Sequence, residues 1–200
     1  MKVLLVVFLL FATVGARSAE DRPGERKPAG LRFAIIGEKP PAPAPVLFIF
    51  ALDCRTTLSL DAYALVGAIL REKGVLLDSL DLPCHGEDIR EGEPEQLKGW
   101  RARADKGIDF VAEFTPKASS VLDHLVKEGY ADPARVAACG TSRGGFMALR
   151  FAAAGFSPVT DLTALSEFSG IADRKLVDSL RLTAAWLGRY LFPVDESAGK

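Results

Sequence analysis

VLFIFAL at residues 46–52 is an unbroken apolar run, rich in β-branched and aromatic side chains and too short to make a helix. A run of that kind suits a strand buried on both faces. It constrains the fold strongly, because a sheet apolar on both sides needs helices above and below. VLLDSLDL at 75–82 and RVAAC at 135–139 read as two more buried strands. An amphipathic helix pattern starts at Ser59, Leu60 and Asp61 and runs to 73, with Gly74 as its stop. Residues 99–129 are helical in pattern with a break near Pro116, and 144–154 is a helix directly after the third strand. Alternation of this order predicts an α/β fold, a mostly parallel sheet with helices on both faces.

The rest of the chain is read around that core. Lys2, the apolar run at 3–14 and the small residues Val14, Gly15 and Ala16 have the form of a signal peptide over residues 1–16. A membrane span needs about 20 apolar residues, and Arg17, Glu20, Asp21 and Arg22 end this run earlier. A secreted or periplasmic protein with no membrane anchor after cleavage is the expectation. Residues 17–45 form a linker and a first short strand at 32–36, with EKPPAPAP at 38–45 as a turn or surface connection, since proline lacks the ladder donor. The domain proper is 46–200.

Twenty-five basic and twenty-six acidic residues leave a formal charge of -1, so no electrostatic footprint for nucleic acid or an anionic membrane exists. Three cysteines allow at most one internal disulfide; Cys54 and Cys84, each after a strand, are the one plausible pair, with two free thiols the alternative. Cys139 reads as a buried small hydrophobe. Cysteines and histidines are too scattered for a recognisable metal site, and no cofactor motif is present.

Chemistry enters at Gly140-Thr141-Ser142-Arg143-Gly144, a G-x-S-x-G sequence between a strand and a helix. That context marks a nucleophile elbow. Gly140, Gly144 and Gly145 leave space around a sharp turn, and the helix that follows points its free N–H groups at a developing oxyanion. The amide of Arg143 is one expected donor, and an amide at Leu52 or Asp53, after the first buried strand, is the other. A phosphate loop needs Lys followed by Ser or Thr after its last glycine; here Gly145 is followed by Phe146 and Met147.

GYADPARVAACGTSRGGFMALRFAAA at 129–154 resembles the nucleophile region of α/β-hydrolases of the dienelactone hydrolase and prolyl oligopeptidase type. DLPCHGED at 81–88 resembles a loop after an earlier strand in that group, and FSPVTDL at 156–162 a segment after the nucleophile helix. The resemblance implies a serine hydrolase acting on a small-molecule ester or a peptide, with Ser142 as nucleophile and the triad in the order Ser, Asp, His. The chain departs from that order. A serine hydroxyl needs a general base, and both histidines, His85 and His124, precede Ser142. His85, at a strand end on the expected edge, is a possible substitute base or a turn residue; His124 reads as a half-buried or exposed helical histidine.

Past the elbow the pattern is short. Residues 151–156 are a shortened strand or a strand is missing, with 162–165 a weak substitute, and 176–191 is a last amphipathic helix before a frayed tail. The sequence therefore reads as a shortened or C-terminally incomplete hydrolase domain with an incomplete triad. Alternatives are a non-catalytic binding or scaffold protein that keeps the elbow as architecture, and a fragment.

Overall fold

The computed structural model describes residues 22–154, 163–165, 185, 187–189 and 191–192. Among the described residues six strands form one sheet: β1 (Gly24–Arg26), β2 (Phe33–Ile36), β3 (Ala44–Phe50), β4 (Leu76–Leu80), β5 (Ala131–Thr141) and β6 (Thr163–Leu165). Their spatial order is β1-β2-β4-β3-β5-β6. β4, β3, β5 and β6 are parallel, while β1 and β2 join antiparallel at one edge. Among the described residues the helices that connect them are α1 (Cys54–Ser59), α2 (Asp61–Arg71), α3 (Gln96–Asp105), α4 (Phe110–Lys127) and α5 (Arg143–Ala153). The expected mostly parallel α/β architecture is therefore the one observed.

Strand β3 shows why the apolar run had to be a central strand. Val46, Phe48 and Phe50 pack with Phe114, Val121, Leu125, Met147 and Phe151 on one face. Leu47 and Ile49 pack with Leu58, Val66, Leu70 and Cys139 on the other. Each fully buried large apolar side chain contributes about 1.5–3 kcal/mol, so this strand anchors both layers. β4 departs from pure apolarity at Asp78, fully buried with neither carboxylate oxygen hydrogen-bonded among the described residues. Burial drives its carboxyl well above the ordinary range, against a smaller opposing pull from Arg26, and so favours the neutral acid.

Several expectations are corrected. Part of the segment read as a linker is the edge strand β1, which pairs Gly24 with Ile35 and Arg26 with Phe33. Pro45 does lie within a strand, at a register shift where Ala44 pairs with Ala131 and Val46 with Val136. A bulge needs no ladder donor there. Opposite it, Asp132 accepts from the Ala134 N–H at 2.9 Å and the Arg135 Nε at 2.7 Å, while Arg135 donates to the Pro43 carbonyl at 3.0 Å. The helical stretch breaks between Asp105 and Phe110, and Pro116 lies inside α4. The short helix α1, not foreseen, starts where the Asp53 side chain accepts from the Thr56 N–H. Phe151 belongs to α5, so no strand starts there, and the short segment at Thr163–Leu165 is the strand beside β5.

All three cysteines are buried free thiols, so Cys54 and Cys84 are not paired. Burial raises the Cys139 thiol to about 12, which suits its reading as a small hydrophobe. The last helix, expected at 176–191, is described only at 185, 187–189 and 191; Leu187 and Leu191 are buried in the same layer as α2. Residues 1–21 and the segment at 156–162 lie outside the described residues.

Candidate active site

The C-terminal ends of three neighbouring parallel strands converge on one edge of the sheet. Asp53 follows β3, His85 follows β4 and Ser142 follows β5, with β3 between the other two. In open α/β sheets this edge is where ligands bind.

Ser142 is the N-cap of α5 and has φ 55° and ψ -116°, a conformation rarely adopted by residues with a Cβ. Its side chain is exposed. The turn is set by how closely backbone meets backbone. A Cβ at Gly140 would lie 2.3 Å from the carbonyl carbon of Gly144, and a Cβ at Gly144 would lie 1.8 Å from the Phe50 carbonyl oxygen. Only glycine fits at either position. Gly145, buried beside Gly144, completes the first turn of α5.

Of the expected oxyanion donors, the Arg143 amide is at the first position of α5, where helical N–H groups have no intrahelical acceptor. The Leu52 amide is engaged: it donates to Thr57 Oγ1 at 2.9 Å, because α1 brings that hydroxyl back beneath the loop. Asp53 is the other position expected for that donor, and its amide faces its own carboxylate. The Asp53 carboxylate accepts from Thr56 within the cap; burial opposes its ionisation, but the hydrogen bonds of the cap outweigh that and hold it below its ordinary value.

His85 is 4% exposed and held firmly. Its Nδ1 lies 2.9 Å from the Pro83 carbonyl oxygen. A carbonyl only accepts, so Nδ1 carries the proton and Nε2 presents a lone pair. That Nε2 is enclosed and without a partner among the described residues. Burial lowers the imidazole from its ordinary value, the Pro83 hydrogen bond opposes this, the Arg143 cation lowers it further, and Asp53 and Asp81 pull upward. The net effect is a neutral imidazole. The same Pro83 carbonyl accepts from Trp100 Nε1 at 2.6 Å, and the Trp100 ring lies 6.4 Å from Phe146, one turn beyond Ser142. Trp100 was not foreseen; its signal, an indole in a mostly polar helix, was available.

The loop that carries His85 is built from charge. Asp81 accepts from the Cys54 and Glu87 N–H groups at 2.8 and 2.9 Å and from Arg32 at 2.8 Å. Arg103, with a side chain only 1% exposed, pairs with Asp88 and Glu93 at 2.7 Å each. Asp88 also accepts from the Cys84 N–H and from Lys117. Burial works to raise the Asp88 carboxyl, but the bonds from Lys117, Cys84 and Arg103 overcome it and leave it below the ordinary range. His124 lies elsewhere, half-buried on α4 with its ring edge-on to Phe33 at 5.8 Å. No hydrogen bond joins either histidine to Ser142 among the described residues.

No family model matches the chain, and no curated protein matches it. Among solved structures it is similar to a cold-adapted esterase from an Arctic intertidal metagenomic library, at 16% identity, over 66% of this chain and 52% of that one, with a TM-score of 0.43. It is also similar to a protein from Thermus thermophilus, at 22% identity, over 85% and 70%, with a TM-score of 0.47. A puromycin-hydrolyzing peptidase of Mycobacterium tuberculosis aligns at 17% identity, over 89% and 27%, with a TM-score of 0.46. The aligned part spans about half the length of that esterase.

Proposed function

We propose that this chain is an exported serine hydrolase of the α/β-hydrolase type that cleaves esters or peptides. Ser142 attacks the scissile carbonyl, and the amides of Arg143 and Asp53 receive the oxyanion. His85 Nε2 takes the proton from Ser142 and returns it to the leaving group. The observation that carries this reading is the backbone of Ser142: an exposed hydroxyl held at positive φ by glycine contacts on both sides. Strain of that kind costs about 1–3 kcal/mol and clusters at reacting residues. The neutral imidazole of His85, with Nδ1 turned to the Pro83 carbonyl and Nε2 without a partner among the described residues, supports its part as base. The resemblance of the elbow sequence supports the reaction class, and the run at 3–14 supports export.

A second reading, a non-catalytic binding or scaffold protein, draws on one observation: Ser142 has no histidine bonded to it among the described residues. Labelling with a fluorescent fluorophosphonate, beside a Ser142→Ala control, separates the two. Labelling lost in the control and in His85→Gln supports the hydrolase. A folded chain that takes no label supports the scaffold.

A further inference from the structure

A histidine base is commonly oriented by a carboxylate on its second nitrogen; for His85 that place is taken by the Pro83 carbonyl, whose oxygen lies 2.9 Å from Nδ1. The oxygen does not serve His85 alone. Trp100 Nε1 donates to it at 2.6 Å. A carbonyl has two lone pairs, and here each ring takes a share. The indole belongs to α3, and that helix meets the loop at two further points. The Gln96 amide donates to the Cys84 carbonyl at 2.9 Å, and a Cβ at Gly99 would lie 2.6 Å from Cys84 Cβ and closer still to the Pro94 carbonyl oxygen. Between these contacts Cys84 has φ 60°, a value that favours glycine, and its own N–H donates to Asp88 at 2.9 Å. That torsion sets the plane of the peptide between Pro83 and Cys84, and with it the direction of the Pro83 carbonyl. On its other side the Trp100 ring lies 4.7 Å from Phe110 and, edge-on, 6.4 Å from Phe146 of α5. One side chain therefore reaches both the group that orients His85 and the helix that Ser142 caps.

We propose that Trp100 is a positioning residue for His85: its indole N–H holds the Pro83 carbonyl in line with Nδ1, and so keeps the ring proton on Nδ1 and the lone pair on Nε2. This inference rests on the reading of His85 as the base and names what orients it. Which ring nitrogen carries the proton is set by the hydrogen bond the other ring atom makes. A Pro83 carbonyl that turns away leaves Nδ1 without an acceptor, and the proton then distributes between Nδ1 and Nε2. A ring with its proton on Nε2 cannot receive another from Ser142 there. The indole bond is partly buried, which strengthens it over an exposed one. The role is distinct from packing, because a phenyl ring at this position would fill much of the same space and donate nothing.

The test reads the ring nitrogens of both histidines by nitrogen NMR at neutral pH, in the full chain, Trp100→Phe and Trp100→Gln. In the full chain the His85 proton is expected on Nδ1; a proton on Nε2 there overturns the proposal before any variant is made. Trp100→Phe keeps a ring against Phe110 but has no donor, so the single tautomer should give way to a mixture of both. Trp100→Gln loses the ring but places an amide N–H as many bonds from Cα as the indole N–H, so the proton should stay mainly on Nδ1. An undisturbed tautomer in Trp100→Phe overturns the proposal, and so does its loss in both variants, which would make the indole a packing element only. The His124 signals, from a ring against Phe33 on α4, should stay in place and show that each variant is folded. Hydrolysis of para-nitrophenyl butyrate gives the second readout: in Trp100→Phe kcat should fall by about tenfold or more with KM within about twofold, and in Trp100→Gln by less. An unchanged kcat beside a mixed tautomer overturns the proposal. No turnover by the full chain is a failure of the hydrolase reading instead, and the tautomer alone then decides whether Trp100 orients His85.

Discussion

From Gly140 to Gly145 the elbow keeps its shape through backbone pressed against backbone, with Phe50 and Gly144 nearly touching. The loop between β4 and α3 keeps its shape through charge, with Arg103 sunk between Asp88 and Glu93 and Arg32 tied to Asp81. Both present a side chain to the same sheet edge. The first device tolerates no added atom but is indifferent to pH and salt. The second tolerates changes of shape but depends on the ionisation of its members. Positioning Ser142 and positioning His85 are thus separable problems in this fold.

The sharpest way to break the contrast is Gly144→Ala. Its Cβ has only backbone to meet, so a loss of at least about 3 kcal/mol or failure to fold is expected by urea unfolding. A normally stable variant would end the steric account. Arg103→Met attacks the other side, leaving Asp88 and Glu93 without their buried cation; about 3 kcal/mol should be lost. Acid sensitivity should change with it. Asp88 is held below its ordinary value, so its contribution is present above about pH 3.9 and is lost as pH falls through the lower folded value. Without Arg103, acid unfolding should begin at higher pH.

His85→Gln keeps a hydrogen-bonding side chain in the loop and removes the imidazole proposed as base. Ester turnover should fall by about a hundredfold or more. Because the imidazole is depressed, the acid limb of the wild-type pH profile should lie below the ordinary histidine value of about 6.5. A limb above that value would contradict the environment described for His85.

Asp78 supplies the contrast within one strand, a carboxyl without a hydrogen-bond partner among the described residues. Asp78→Val should stabilise the chain by about 1 kcal/mol in urea unfolding, since it replaces an unmet polar group with apolar volume. Its folded value is raised, so the contribution of the neutral acid is full below about pH 3.9 and is lost as pH rises through the folded value. Asp78→Asn should remove that alkaline decline. The smallest effect concerns the elbow again: Ser142→Gly should be more stable than Ser142→Ala by about 1 kcal/mol, because glycine adopts positive φ freely.

The sequence disclosed the elbow and the central strands because their determinants are local. G-x-S-x-G must be contiguous to make its turn, and VLFIFAL states its burial in its own composition. What it hid depends on partners distant in the chain. Arg103 reads as one more charge on a polar helix until Asp88 and Glu93 fold around it. GER at 24–26 became a strand only because β2 offered an edge. Proline 116 looked like a break, yet the chain breaks at 106–109 and α4 runs through it. The engagement of the Leu52 amide likewise follows from α1, six residues with no apolar period to announce them.

The positive φ of Ser142 has a bearing on how such a chain changes over time. Each generation of substitutions meets a standing thermodynamic pull at this one position toward glycine, which would relax the turn and leave the surrounding contacts as they are. Loss of the hydroxyl is therefore the easy direction of drift, and keeping it runs against the slope of stability. A laboratory population of this gene selected for folding alone should shed Ser142 early, whereas one selected for the proposed hydrolysis should hold it while the rest of the surface varies.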